Sequence, residues 1–271
     1  MNNLTEQTTG GWRQASKRRA FLTHLVVSTA VVGAVCTLIF FFWYPQPYFA
    51  IRGAWNVLKV LIGVDLILGP LLTLILFRPG KPRLALDMAI IATIQISALL
   101  YGTSVIYQER PYYAVFAVDR FEVLARRDVE SSDAAGTRFT SKPLVGPILA
   151  FASLPSDPAE LQRLLDETLF ENKPDIERRP EYWSLYEDSR DDVLARAAKL
   201  SDLAAQQPAA ADRIRRAALA LGEDASALVY VPVIGAGRPL TLVLDSESAR
   251  PQKVLDINPW GAQTSSSASG R

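Results

Sequence analysis

Reactive side chains are scarce in this sequence, and their placement is unusual. Cys36 is the only cysteine and His24 the only histidine, and both lie inside one apolar run. Ser-His or Cys-His nucleophilic catalysis needs an imidazole to take the proton. Zinc is held mostly by Cys and His. The polar C-terminal half offers neither residue, and one cysteine permits no intrachain disulfide. Asp and Glu are plentiful there, so a carboxylate pair for sugar chemistry stays open, but nothing singles one out. "GAGRPL", Gly235–Leu240, holds only the opening of a dinucleotide fingerprint and sits between two expected strands, so it reads as a hairpin turn. Arg213, Arg215 and Arg216 read as a solvated helix face, and no Lys/Arg stripe with interleaved aromatics points to nucleic acid. No catalytic, cofactor-binding or metal-binding residue is assigned, and a non-enzymatic protein is expected.

The informative polar groups stand where polarity is costly. "GVDLILGPLLTLILF", Gly63–Phe77, reads as part of a membrane helix, yet it holds Asp65 and the pair Gly69-Pro70. A carboxylate at bilayer depth costs roughly 2.5–3.5 kcal/mol on insertion scales, and proline removes a helix hydrogen bond. Counting along the spans places Asp65 and Gln95 at the same midplane level, where they can hydrogen-bond. His24 and Asp87 fall together near one membrane face and can pair as well, while Lys59 can snorkel to the other. These groups read either as interhelical glue or as contacts for a partner helix or an ion; three short helices offer little enclosure for an ion path. Gly69-Pro70 likewise reads as a packing bend or as a small-residue groove for a fourth helix.

Three apolar segments must position these residues: 21–44, 55–77 and 84–107. The first follows Arg13, Lys17, Arg18 and Arg19 and is too long for a signal peptide. "WYPQPYF", Trp43–Phe49, has the aromatic and proline content of an interfacial break. "RPGKPR", Arg78–Arg83, is a short basic connection. Residues 1–110 carry ten Lys/Arg against four Asp/Glu, and the remainder 19 against 24. The basic segments lie at one set of span ends, and the first connection holds only Arg52. The positive-inside rule therefore places the N-terminus in the cytoplasm and the C-terminal part in a bacterial periplasm.

The expected organisation is a cytoplasmic tail over 1–20, a three-helix membrane domain over 21–107, a periplasmic α+β domain over 108–261 with a mainly antiparallel sheet, and a disordered tail over 262–271. Within the α+β part, strands are expected at 112–118, 121–126, 144–154, 227–234, 239–244 and 253–257. "DPAELQRLLDETLF" carries Asp157 as N-cap, Pro158 at the first helical position and Leu161, Leu164, Leu165 and Leu169 on one face. Two further helices are expected over 180–206 and 209–221.

"WYPQPYF", "LIGVDLILGPLLTLILFRPGKPRLALD", "IQISALLYG" and "IYQERPYYAVFAVDRFEV" together resemble the TfpX/TfpZ family of type IV pilin accessory proteins. The resemblance is dense from Phe21 to Val123 and continues weakly through "DPAEL", "RPEYW" and "DINPW". It implies a non-enzymatic inner-membrane, pilin-specific chaperone of a type IV pilin subunit, with no catalytic residues to carry over. The physical reading adds that the three-helix bundle can hold the pilin's transmembrane helix and the periplasmic domain can shield its head. Candidate partner contacts are Gly69, Pro70, Asp65, His24, Trp43 and Tyr44. Pilins of this kind carry a glutamate near the start of their apolar helix, and His24 lies at a depth to complement it. Two other classes stand beside this one: a pilin-modifying enzyme such as a glycosyltransferase, and a membrane-anchored periplasmic sensor. The first lacks a phosphate loop here, and the second a cytoplasmic output module.

Overall fold

The computed structural model describes residues 16–129, 139–235 and 237–261. The tail expected over 262–271 and most of the N-terminal tail lie outside the described residues, as does Ala236 of the "GAGR" turn. Two compact units form. One comprises the chain up to Ile39 with Ala54–Tyr107, the other Phe40–Gly53 with the chain from Gln108 onward.

The N-terminal helices are α1 (Lys17–Trp43), the short α2 (Tyr48–Arg52), α3 (Trp55–Leu76) and α4 (Leu84–Gln108). Of these, α1, α3 and α4 are long and apolar enough to cross a membrane. Ser16 starts α1, its hydroxyl accepting from the Arg19 amide at 3.3 Å, as an N-cap does. α3 stops at Phe77, whose backbone is extended. Pro79 disfavours helical geometry at the residue before it, and Gly80 then turns the chain with φ of +80°.

In the second unit the sheet strands are β1 (Tyr113–Ala117), β2 (Arg120–Leu124), β3 (Ile148–Ala152), β4 (Trp183–Leu185), β5 (Ala198–Lys199), β6 (Val229–Gly235), β7 (Arg238–Leu244) and β8 (Pro251–Leu255). They form one sheet in the order β4-β3-β1-β2-β6-β7-β8, with β5 beside β6. β1 runs parallel to β3 and β2 to β6; the other pairs are antiparallel. Helices α5 (Pro158–Phe170), α6 (Arg190–Arg196), α7 (Leu200–Gln206) and α8 (Ala211–Leu219) accompany it. The chain is thus a set of membrane-length helices followed by an α+β unit with a mainly antiparallel mixed sheet, as its hydropathy pattern anticipates.

All five residues of β1 are buried, so the sheet is covered on both faces at its centre. Phe116, Phe121, Val231 and Leu242 belong to one apolar cluster, and Tyr113, Val115, Leu164 and Trp183 to another. A third holds Leu200, Leu203 and Ile214 against Tyr230 and Val243. α2 completes the first cluster with Tyr48 and Ile51. Gly235 allows that close approach: a Cβ there would lie 2.3 Å from the Ile51 carbonyl oxygen.

The helix expected over 180–206 does not form as one piece. Trp183–Leu185 is an edge strand paired with β3, Arg190–Arg196 and Leu200–Gln206 are α-helical, and Pro180–Tyr182 and Glu187–Ser189 are 3-10 turns. Trp183 is a strand former, and β3 offers it an edge to pair with. Trp183 Nε1 donates to the Ile176 carbonyl at 3.0 Å, and the Tyr186 hydroxyl to the Ala249 carbonyl at 2.6 Å.

Candidate functional site

Helix α3 is not a regular α-helix through its polar stretch. Trp55–Ile62 and Gly69–Leu76 are α-helical, but Gly63–Leu68 between them is a π turn. Pro70 has no N–H to offer the Leu66 carbonyl, and its ring crowds that oxygen. The backbone widens, and the Gly69 amide reaches the Val64 carbonyl, five residues back. Such single π turns recur at functional positions in helices. This one turns Asp65 inward, leaving it 5% exposed.

Asp65 meets Gln95 of α4, whose Nε2 donates to Asp65 Oδ1 over 3.5 Å. Gly69 and Pro70 are buried as well. The close approach that Gly69 permits is made by the chain's own Gln95, because a Cβ at 69 would stand 1.9 Å from Gln95 Nε2. His24 and Asp87 take separate partners: His24 Nδ1 lies 2.6 Å from Thr73 Oγ1, while Asp87 pairs with Lys81 of the connection. Lys59 Nζ sits over the Trp55 ring at 5.7 Å.

Two contiguous cavities lie between α1 and α4, with α3 as their floor. The larger, about 560 Å³, is lined by Arg19, Ala20, Thr23, His24 and Val27 of α1, Thr73 and Phe77 of α3, and Met88, Ile91 and Ala92 of α4. The smaller, about 240 Å³, is lined by Val27, Ser28, Val31 and Val32, by Asp65, and by Ala92, Gln95, Ile96 and Leu99. His24, Val27 and Ala92 border both. The result is an apolar groove with a sparse polar floor and wall, the composition of a site that takes an apolar ligand in one orientation.

Trp43 and Tyr44 lie elsewhere. Both belong to the second unit; Tyr44 is fully buried, its ring 6.0 Å from that of Phe49 in an edge-on arrangement, and Trp43 is half-buried. Nearby, Arg52 is a hub within the same unit. It donates to the Glu109 carboxylate at 2.9 Å, the Glu109 carbonyl at 3.2 Å, the Val123 carbonyl at 3.1 Å and Asp128 at 3.4 Å.

Sequence reasoning passed over Thr73 and Ser28, which are 3% and 8% exposed. Each sits close to a whole number of turns from a flagged residue: Thr73 eight after Asp65, and Ser28 four after His24. That spacing, which marks a shared helix face, was the available signal.

Comparison with known proteins finds relatives over part of the chain. The family model for the fimbrial assembly protein FimB matches residues 12–53. The serogroup I fimbrial assembly protein of Dichelobacter nodosus is 41% identical over 108 residues, covering 39% of this chain and 42% of that protein. The protein of serogroups C1 and C2 from the same organism is 39% identical over 108 residues, covering 39% of this chain and 82% of that one. The matched region thus spans less than half of the serogroup I protein and most of the C1 and C2 protein. No solved structure matches the chain. With four fifths of a relative covered at that identity, and the family model meeting α1 and the connection after it, the chain belongs to the fimbrial assembly protein family.

Proposed function

We propose that this protein is a non-enzymatic inner-membrane accessory factor of type IV pilus assembly, related to the TfpX/TfpZ pilin accessory proteins. In this reading it acts as a chaperone by holding the apolar helix of a pilin subunit before assembly. The observation that carries the reading is the groove between α1 and α4. It is apolar along Val27, Ile91 and Ala92 and polar at His24, Thr73 and Asp65. An unassembled pilin is a soluble head on one apolar helix, and such a helix in lipid gains from packing and a few interhelical hydrogen bonds. His24 is the group to meet the glutamate near the start of that helix.

The proposed topology has residues 1–20 in the cytoplasm, spans within 21–107 and a periplasmic domain over 108–261. Two observations support it. Lys17, Arg18 and Arg19 at one end of α1, and Arg78, Lys81 and Arg83 between α3 and α4, are the basic ends that the positive-inside rule holds in the cytoplasm. The one basic residue of the first connection, Arg52, is consumed in ion pairs with Glu109 and Asp128. The connection also packs into the same unit as the C-terminal part, as an odd number of spans requires.

The test is photo-crosslinking in cells from Val27 and Ala92, with pilin abundance and intact pilin mass measured after deletion of the gene. Pilin adducts at both positions, with less pilin of unchanged mass on deletion, are expected. A change in pilin mass on deletion would instead indicate a modifying enzyme, and absence of pilin adducts would remove the groove reading.

A further inference from the structure

Helix α5 is rotated away from the orientation its sequence favours. Leu161, Leu164, Leu165 and Leu169 share one helical face, yet only Leu164 is fully buried. Leu165 and Leu169 are 44% and 71% exposed, and Phe170 is 80% exposed. Polar groups take the inward positions instead. Glu167, whose side chain is 13% exposed, pairs at 2.7 Å with Arg179, itself almost wholly buried, and Thr168 Oγ1 is buried as well. A buried arginine needs its carboxylate, so the ion pair fixes the rotation of the helix and the leucines are left in solvent.

The segment that carries those leucines is acidic. Residues 157–173 hold five Asp/Glu and two Lys/Arg. Both cations reach Glu167, Arg163 at 3.7 Å and Lys173 at 3.2 Å, their side chains staying 63% and 41% exposed, and Lys173 also lies 3.8 Å from Glu171. Asp157, Glu160, Asp166 and Glu171 stand exposed along the helix and its ends.

We propose that this face, Leu165, Leu169 and Phe170 among exposed carboxylates, docks a protein surface whose apolar side chains are ringed by lysine or arginine. The net negative charge of residues 157–173 selects that occupant. It repels the anionic headgroups of a bilayer, and a second copy would set like charges against each other. Resting on the function proposed above, the partner is the soluble head of the same pilin whose helix enters the groove, so the client is held at two places.

The test places a photo-crosslinking residue at Leu169 of the full chain, with Ala92 in the groove as the parallel position, in cells that make the pilin. Pilin adducts are expected at both, and raising salt from about 50 to 500 mM in membranes should lower the Leu169 adduct while sparing the groove, because rim charges are screened. Leu165→Ser with Leu169→Ser should weaken pilin co-purification at least about fivefold, as loss of interface anchors does, at unchanged melting temperature. Pilin adducts at Ala92 with none at Leu169 overturn this surface and leave the groove standing. Adducts at Leu169 alone support the surface and remove the groove. Absence at both positions overturns the surface and the proposed function together. A Leu169 adduct to lipid or to a second copy of this chain overturns the proposal in favour of that occupant.

Discussion

The Gln95 side chain fills the space that any residue larger than glycine would need at position 69, 1.9 Å from where a Cβ would stand. The same Nε2 donates to Asp65. One amide thus closes the joint between α3 and α4 and partners the buried carboxyl. Gly69→Ala should dislodge Gln95 and leave Asp65 without its partner, costing about 1–2 kcal/mol, in the range of interhelical hydrogen bonds in membranes. Because the clash and the lost bond run through one side chain, Gly69→Ala and Gln95→Ala should be non-additive. Thermal unfolding of the four proteins of the cycle in detergent reads this directly. Additive costs would show that the two sites are independent.

Arg52 offers a second test, within the other unit. Its guanidinium bridges Glu109, Asp128 and two backbone carbonyls, with a side chain only 17% exposed. Removing one partner of a mostly buried pair leaves uncompensated charge. Arg52→Ala should therefore lower stability by on the order of 3 kcal/mol, and Arg52→Lys should recover little, since an ammonium cannot make the forked contacts. Limited proteolysis should show earlier cleavage in residues 108–261 for both variants. Full recovery by lysine would mean that charge alone, not the fork, matters.

What the sequence disclosed depended on whether a signal was local. Hydropathy alone marks the membrane-length helices, and counting depth along them brings Asp65 and Gln95 together, because both are rare and costly in lipid. Thr73 escaped the same count: a threonine can bond its own helix carbonyl and so carries little penalty in a span. His24 therefore went to Thr73, and Asp87 to Lys81 only six residues away. The strand at Trp183–Leu185 was hidden because its pairing with β3 is made by residues more than thirty positions distant. The rotation of α5 was hidden for the same reason, since Arg179 lies outside the helix that it orients.

Val118, at the tip of the β1–β2 hairpin, has φ of +57° and is 58% exposed. The left-handed region costs an L-residue roughly 1–2 kcal/mol, more for a β-branched side chain. Asparagine tolerates it. Val118→Asn should therefore raise stability by about 1 kcal/mol, shifting the melting temperature up by a few degrees. Val118→Gly should gain less, because glycine also frees the unfolded chain. A lower melting temperature for Val118→Asn would show that the exposed valine packs more than its surface suggests.

Glu122 and Glu177 supply a pH test. Desolvation by burial raises both carboxyls above the ordinary glutamate value of 4.5; Arg178 and Arg120 oppose the shift at Glu122, with Asp175 adding to it. The two carboxyls lie in the α+β unit, and Arg178 Nη2 reaches Glu122 Oε2 at 3.5 Å. A carboxyl raised in the folded state holds its proton longer there than in the unfolded chain. Its contribution to stability is therefore complete below pH 4.5 and is lost as pH rises through the folded value. Glu122→Gln keeps the shape and removes the ionisation. The stability difference between wild type and Glu122→Gln should thus move in favour of the variant as pH rises above 4.5, and further still with Glu177→Gln added, by thermal melting at successive pH values. A difference that stays constant with pH would mean that Arg178 compensates both carboxylates in full.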